Sequence, residues 1–307
     1  MQPLVTVNIL SYNRKDDLRN TLQKVFEQEY KNIEVIVVDN NSQDGSVEMV
    51  KSEFPSVHLL ELQKNIGIAG WNEGAIIAKG KYLLFLDDDS YPEKDALHKC
   101  VPTMEQHPNC AVLALNVYND LLNRDEMIYE DRVTFPSFVG CGVIVRRELF
   151  HSIGMFNKIL FLYEHEIDFS IRTIQNGYDI LFSPDSIVHH VYSSIHRHKQ
   201  QDEKNDLRKQ FFKNRNMILI LLTYFPLPIV FWRIGRFIIG HILFGLVEGC
   251  LWPVIKGIAS GLWVSSKNWH SRKIVSVEVQ KRYGYGKFVG GFFHAGQYAF
   301  RRPRWLS

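Results

Sequence analysis

Dense cysteine is missing from this 307-residue sequence, whose four cysteines (Cys100, Cys110, Cys141 and Cys250) share no CxxC spacing. That excludes a disulfide framework or a thiolate zinc site, and the four read as reduced thiols in a cytosolic setting. Neither sign of charge dominates: the formal net charge is +3, too small by itself to argue for a nucleic-acid binder. Neither GxxxxGK[ST] nor GxGxxG occurs, so P-loop and dinucleotide-binding readings lose their main support. Internal repeats and low-complexity tracts are also missing. The opening MQPLVTVNILSYNR has neither the basic stretch nor the long apolar run of a secretory leader, and a cleaved export signal is not expected. What is present is apolar, with 46% hydrophobic against 22% charged residues. That is enough to bury a core and to exclude wholesale disorder.

The first ninety residues alternate between strand and helix patterns. Apolar, largely β-branched runs stand at Leu4–Leu10, Ile33–Asp39, Val57–Leu62 and Lys81–Asp87. Helical spacing fills the intervals at Asp16–Gln28, Asp44–Phe54 and Ala69–Lys79. Strict alternation implies parallel strands covered by helices on both faces. Ligands of such sheets gather outside the carboxyl ends of the strands. Tyr12–Arg14, Asp39–Asn41 and Asp87–Asp89 all fall there. Beyond Pro92 the pattern loosens. Helices are expected near Lys94–Gln106, His165–Asn176 and Lys199–Arg215, and strands near Ala111–Tyr118, Phe138–Arg146, Asp179–Phe182 and Ile187–Val191.

Asp87, Asp88 and Asp89 close an apolar strand, and adjacent carboxylates repel unless a cation or hydrogen-bond donor sits among them. Hard oxygen ligands suit Mg2+ or Mn2+, which bridge to a diphosphate. The competing reading is a solvated turn opening the next helix, with Ser90 and Pro92 as start signals. Residues 65–74 (NIGIAGWNEG) form a glycine-punctuated entry to a helix. Backbone N–H groups there can meet a phosphate, or the loop is an ordinary strand–helix turn.

Five segments in order, SYNR, VDNNSQDGS, NIGIAGWNEG, FLDDDSYP and HEIDFSIRTIQNGYDI, resemble a family 2 glycosyltransferase of the GT-A fold, most similar to its rhamnosyltransferase-like branch. The resemblance covers roughly residues 4–220. It implies that Asn13 and Asp39 hold the donor's pyrimidine base and neighbouring ribose, with Tyr12 and Arg14 also at the donor site, and that Asn65, Gly70 and Asn72 belong to the donor-binding loop. Asp87 or Asp88 would face the ribose and Asp89 would ligate a metal, joined by one of His189 and His190. Strand alternation lets only one of these two point inward, and His190 is preferred. With His196 and His198 nearby, no thiolate or carboxylate stands at zinc-ligand spacing, so a separate zinc site is not expected. Gly140 resembles the glycine-bearing segment near the donor sugar. Many relatives read EDxDLxxR where this chain has His165 to Arg172. Glu166 then takes the place of the base, one methylene longer than the usual Asp, and His165 replaces an acid. Positions two apart on a helix point to nearly opposite sides, so Asp168 is read as scaffold, paired with Arg172 four residues on. Gly154-Met155-Phe156-Asn157 stands where the family has GxFDE and lacks both acids.

Met217–Ser266 holds only four charged residues, Arg233, Arg236, Glu248 and Lys256, whereas Lys267–Ser307 carries nine lysines and arginines against Glu278 alone. Arg233, Arg236, His241 and Glu248 fall within an arc of about 140° if Arg233–Trp252 is one helix. An in-plane amphipathic helix with Trp252, Trp263 and Trp269 at the interface, followed by a basic tail, fits an anionic membrane surface. The alternatives are packing on the catalytic domain, a homodimer contact, or a true span.

The expected architecture is therefore α/β: a GT-A, Rossmann-like nucleotide-binding mixed sheet flanked by helices over 1–220, and a helical, membrane-associating extension over 221–307. The resemblance implies an inverting, Mg2+- or Mn2+-dependent glycosyltransferase on the cytoplasmic face of the cell membrane. Its donor would be dTDP-rhamnose or a UDP-sugar, its acceptor a lipid-linked or cell-surface saccharide. Two other classes stay open: a non-catalytic sugar-nucleotide-binding membrane adaptor, motivated by His165 and the altered stretch at residues 154–157, and a sugar nucleotidyltransferase, disfavoured because the glycine-rich loop follows the third strand.

Overall fold

A computed structural model describes residues 2–126, 137–191 and 199–284 of the chain. β1 (Val5–Ser11), β2 (Ile33–Asp39), β3 (His58–Glu61) and β4 (Tyr82–Asp87) run parallel. They are linked by α1 (Lys15–Phe26), α2 (Ser46–Glu53) and α3 (Ala69–Ile77). Both faces of β1 are sealed: Val5, Val7 and Ile9 are 0% exposed, and so are Thr6 and Asn8. Buried polar side chains need partners. Thr6 Oγ1 accepts the Gly80 amide at 3.0 Å, and Asn8 Nδ2 donates to the Trp71 carbonyl at 2.8 Å. These bonds fix α3 and the loop after it onto the sheet.

Past β4 come β5 (Ser90–Pro92), α4 (Ala96–Gln106), β6 (Cys110–Asn119), β7 (Arg124–Asp125), β8 (Val143–Arg146), α5 (Arg147–Ile153), α6 (His165–Gln175) and β9 (Asp179–His190). The sheet order is β3-β2-β1-β4-β8-β6-β9-β5, with β7 paired to β6. β8 is antiparallel to both neighbours, β6 and β9 are parallel, and β5 is antiparallel to β9. A mixed sheet results.

Three expectations change. The strand expected over 138–146 keeps only its last four residues, because the Gly142 amide turns back to the Val139 carbonyl at 3.1 Å. The strands expected at 179–182 and 187–191 are one strand with a bulge. Its register passes from Leu115↔Ser183 to Asn116↔Ile187, and the skipped Pro184 has no N–H to donate. Ser90 to Pro92 do not simply open a helix: they pair with β9, Ser90 opposite His190.

The chain divides into two compact units, one over Met1–Phe161 and His165–Ser194, the other over Leu162–Glu164 and Ile195–Ser307. The second holds α7 (Lys199–Tyr224), α8 (Leu227–Val247), α9 (Leu251–Lys267) and α10 (Val277–Gly284). The division falls before α7 and not after residue 220, because α7 packs closely on α9. A Cβ at Gly257 would stand 2.5 Å from the Phe211 carbonyl, and one at Gly261 would stand 2.7 Å from that of Arg215. The single helix expected over 233–252 is broken between α8 and α9 by Gly249, whose φ of +70° suits a residue without Cβ. α8 is long and apolar enough to cross a membrane. Phe231, Trp232, Ile239, Trp252 and Trp263 are exposed. The part of the basic tail beyond Gly284 lies outside the described residues.

Candidate active site

The acidic triplet sits where β4 ends. The Asp87 amide donates to Ser90 Oγ at 3.0 Å, and Thr21 Oγ1 donates to the Asp88 carbonyl at 2.8 Å, so the turn is rigid. Asp88 and Asp89 are buried. Asp88 Oδ2 accepts the Tyr12 amide at 3.1 Å, and Arg14 Nη1 reaches Asp88 Oδ1 at 3.3 Å and also pairs with Asp89. Burial, reinforced by the neighbouring carboxylates, pushes Asp87 up to about 7. Asp88 is pushed up to about 8, with burial again the main cause and Arg14 opposing. Burial would raise Asp89 as well, but His190 and Arg14 outweigh it and hold this acid at about 2. One carboxylate is thus held charged, while burial favours the protonated form of its two neighbours. The cation the triplet demands is supplied in part by the chain itself.

His190 ends β9, opposite Ser90 on one side and Asn119 on the other. Its Nε2 lies 3.3 Å from Asp89 Oδ1, not aligned as a hydrogen bond, and that oxygen is buried without one. Its Nδ1 meets Glu126 Oε1 at 2.6 Å and lies 3.6 Å from Cys141 Sγ. Burial opposes protonation of the ring, but the carboxylates of Asp89 and Glu126 outweigh it and raise the ring above the usual histidine range. The Cys141 thiol is pushed up to about 12 by burial and stays neutral. Donor atoms of Asp87, Cys141 and His190 also lie within 4.8 Å of one another. With the Nε2 proton displaced on binding, an unsatisfied buried carboxylate oxygen beside an imidazole nitrogen is a donor set that fits a divalent cation. His189 is not brought to it. It points to the opposite face, 2.8 Å from Asp120 and 3.6 Å from Glu93, with its ring stacked on Tyr91. His196 and His198 lie outside the described residues.

The other polar residues of the edge fall into two groups. Asn13 knits two loops, its amide donating to Ser42 Oγ at 2.9 Å and its Oδ1 accepting the Gln43 amide at 2.7 Å. Asp39 Oδ2 accepts the Ser42 amide at 2.8 Å, leaving Oδ1 buried with no hydrogen bond. Such an acceptor awaits an N–H or O–H donor. Asn65 Oδ1 accepts the Gly67 amide at 2.8 Å, and Asn40 braces the same loop by accepting the Ile66 amide at 3.1 Å and donating to the Gly67 carbonyl at 3.1 Å. Gly67 has φ +64° and passes too close to the Phe161 carbonyl for any side chain.

Two expected donor contacts face inward. Asn72 is 0% exposed and uses both ends of its amide on Phe156, donating to its carbonyl at 2.8 Å and accepting its amide at 3.0 Å. Gly70 is a packing glycine of α3, whose Cβ would strike Leu10 and reach Asn40 at 3.4 Å.

α6 presents Glu166, with a quarter of its side chain exposed. Its charge is among those felt by Asp87, which puts the two carboxylates within electrostatic reach of each other. A Cβ at Gly140 would stand 3.1 Å from Glu166 Oε1 and 2.8 Å from His165 Nε2, so this glycine keeps the approach to Glu166 open. His165 packs its ring against Trp71 and Phe156, centroids 5.5 and 5.1 Å away. Burial pulls it down to about 3, and it is a neutral member of the aromatic core. Asp168 is 1% exposed and accepts from Arg172 Nε at 2.9 Å. Arg172 also donates to the Ile153 carbonyl at 3.0 Å and the Met155 carbonyl at 2.7 Å. The pair fastens the turn at Gly154 and Met155, whose φ values are +100° and +53°. Asn157, where the resemblance implies an acid, points its Nδ2 at Asp168 Oδ1, 3.4 Å away.

The model of the family described as "Glycosyl transferase family 2" matches residues 6–167. The chain belongs to that family. An uncharacterized glycosyltransferase of Haemophilus influenzae is 28% identical over 185 residues, covering 56% of this chain and 62% of its own. The Escherichia coli protein described as UDP-Glc:alpha-D-GlcNAc-diphosphoundecaprenol beta-1,3-glucosyltransferase WfaP is 36% identical over 91 residues, 29% of this chain and 36% of that one. Across the first three curated relatives the matched part spans 34% to 62% of their length. Among solved structures, the mannosyltransferase PcManGT from Pyrobaculum calidifontis in complex with GDP-Man and Mn2+ superposes with a TM-score of 0.59 at 18% identity. It covers 97% of this chain and 84% of that one.

This family 2 glycosyltransferase thus has the GT-A architecture, with these polar side chains at the carboxyl edge of β1, β2 and β4. Two neighbours of His190 carried no visible signal. Glu126 lies in an acidic stretch far along the chain from it, and Cys141 resembled a spacer between two glycines. Only the strand pairing brings them in.

Proposed function

We propose that the chain is an inverting, divalent-cation-dependent transferase, moving a sugar from a nucleoside-diphosphate donor to a hydroxyl of a lipid-linked or cell-surface saccharide. The observation that carries the reading is the partly exposed Glu166 carboxylate, within electrostatic reach of the acidic triplet. Asp39, with Asn13 bracing its loop, offers the buried acceptor for the donor's base or ribose. Arg14 brings positive charge to the diphosphate. Asp89 and His190 would hold the cation, which when bound offsets the charge that develops on the leaving diphosphate. Glu166 takes the proton of the acceptor hydroxyl as its oxygen bonds to the anomeric carbon, and the bond from that carbon to the diphosphate oxygen breaks on the opposite side. A uridine- or deoxythymidine-linked donor, rhamnose included, is the favoured class. The name of WfaP supports a lipid-linked acceptor.

The exposed tryptophans of α8 and α9 support a peripheral position on the cytoplasmic face of the membrane. Arg236 lies 4.8 Å over the Trp232 ring, Lys256 5.1 Å over Trp252, and Arg272 4.4 Å over Trp269, which pairs a cation with each of three exposed tryptophans, a combination suited to headgroups. The adaptor reading loses the motive that His165 gave it, since His165 is a core residue that leaves Glu166 partly exposed; the altered stretch at residues 154–157 still stands as its other motive.

Glu166→Gln decides between enzyme and adaptor. Donor binding stays within about threefold while transfer or donor hydrolysis falls by at least about 100-fold, the usual scale for general-base removal. A fully active variant removes Glu166 from the role of base.

A further inference from the structure

His190 contributes a ligand only if its Nε2, and not its Nδ1, is turned to Asp89. Several strands cooperate to fix that choice. The ladder sets His190 opposite Asn119, and the Asp120 amide donates to the His190 carbonyl at 3.1 Å. β7 folds back on β6 with Tyr118 opposite Asp125 and Asn119 opposite Arg124. The Glu126 amide then donates to the Val117 carbonyl at 2.8 Å, which carries its side chain to His190. Glu126 Oε1 stands 2.6 Å from His190 Nδ1 and accepts from Asn119 Nδ2 at 3.4 Å. Both side chains are well buried, 16% exposed for Glu126 and 11% for His190. A surface ion pair is free to rearrange; this one is held by two strands.

We propose that Glu126 is a positioning residue for the cation site: by accepting the Nδ1–H of His190 it fixes the ring so that Nε2 is presented beside Asp89. Metal-bound imidazoles in general use the far nitrogen in this way, and loss of the carboxylate partner costs about 10- to 100-fold in metal affinity. The inference rests on the proposed cation at Asp89 and His190. It goes beyond that reading in extending the site to a residue that never touches the ion.

The test uses the full chain and Mn2+ alone, followed by the electron paramagnetic resonance signal of free Mn2+. His190→Ala should abolish binding. Glu126→Ala should weaken it about 10- to 100-fold, with Glu126→Gln, which keeps an oxygen acceptor at the same length, in between. Long-range 1H–15N spectra with Mg2+ bound should show the His190 proton on Nδ1 alone in the wild type and lose that assignment in Glu126→Ala. If His190→Ala abolishes binding while Glu126→Ala and Glu126→Gln both match the wild type, the inference is overturned and the cation site stands. If His190→Ala binds Mn2+ unchanged, the cation site itself falls. Should Glu126→Ala fail to fold, Glu126→Gln decides: affinity and Nδ1 protonation both unchanged from wild type overturn the proposal.

Discussion

Asp88 is a buried carboxylate held by the Tyr12 amide and Arg14, with its affinity for a proton raised to about 8. It binds that proton more tightly in the folded chain than in the unfolded one. Its contribution to stability is therefore complete below the ordinary carboxyl range and is lost as pH rises through about 8. Asp88→Asn should gain stability relative to wild type on going from pH 6.5 to pH 8.5, by on the order of 1 kcal/mol. Denaturant titrations at the two pH values read it, and a constant difference would show that Asp88 is already ionised. At this scale the sequence exposed the acids that end strands, because a run of apolar residues closed by carboxylates is a local pattern. It did not expose which amides face inward. Asn72 looks like a loop residue, yet it clamps Phe156, 84 positions away.

Elements built from local periodicity were legible. β1, β2 and β4 follow from β-branched runs, and α6 from its apolar spacing. Elements that exist only through a distant partner were not: β5 and β7 span three and two residues, too few to carry a period, and β9 hides its continuity behind Pro184. α6 also shows how one helix divides its duties. Glu166 keeps a quarter of its side chain exposed, while Asp168, two residues on, anchors Arg172 and through it the turn at Gly154. Arg172→Ala leaves Asp168 buried without its cation, which should cost about 3 kcal/mol. Urea unfolding measures this, and a loss under about 1 kcal/mol would mean that the pair does not hold the turn.

For the molecule as a whole, charge and hydropathy along the sequence separated a polar catalytic portion from an apolar one, but placed the division too late. Contacts between α7 and α9 depend on glycines whose importance is invisible until the helices meet. The exposed aromatic residues of α8 and α9 make a membrane prediction. Trp232→Ser together with Trp263→Ser should reduce co-sedimentation with vesicles of anionic lipid by about tenfold or more, leaving the circular dichroism spectrum intact. Equal sedimentation would assign those residues to protein contacts. The most direct test of the whole account is calorimetry of UDP and dTDP binding to the wild type and to Asp89→Ala, with and without Mn2+. The account predicts that at least one of these nucleotides binds the wild type much more tightly with Mn2+, and that Asp89→Ala removes this dependence. Affinities that ignore Mn2+, or an Asp89→Ala variant that keeps the full metal response, would contradict it.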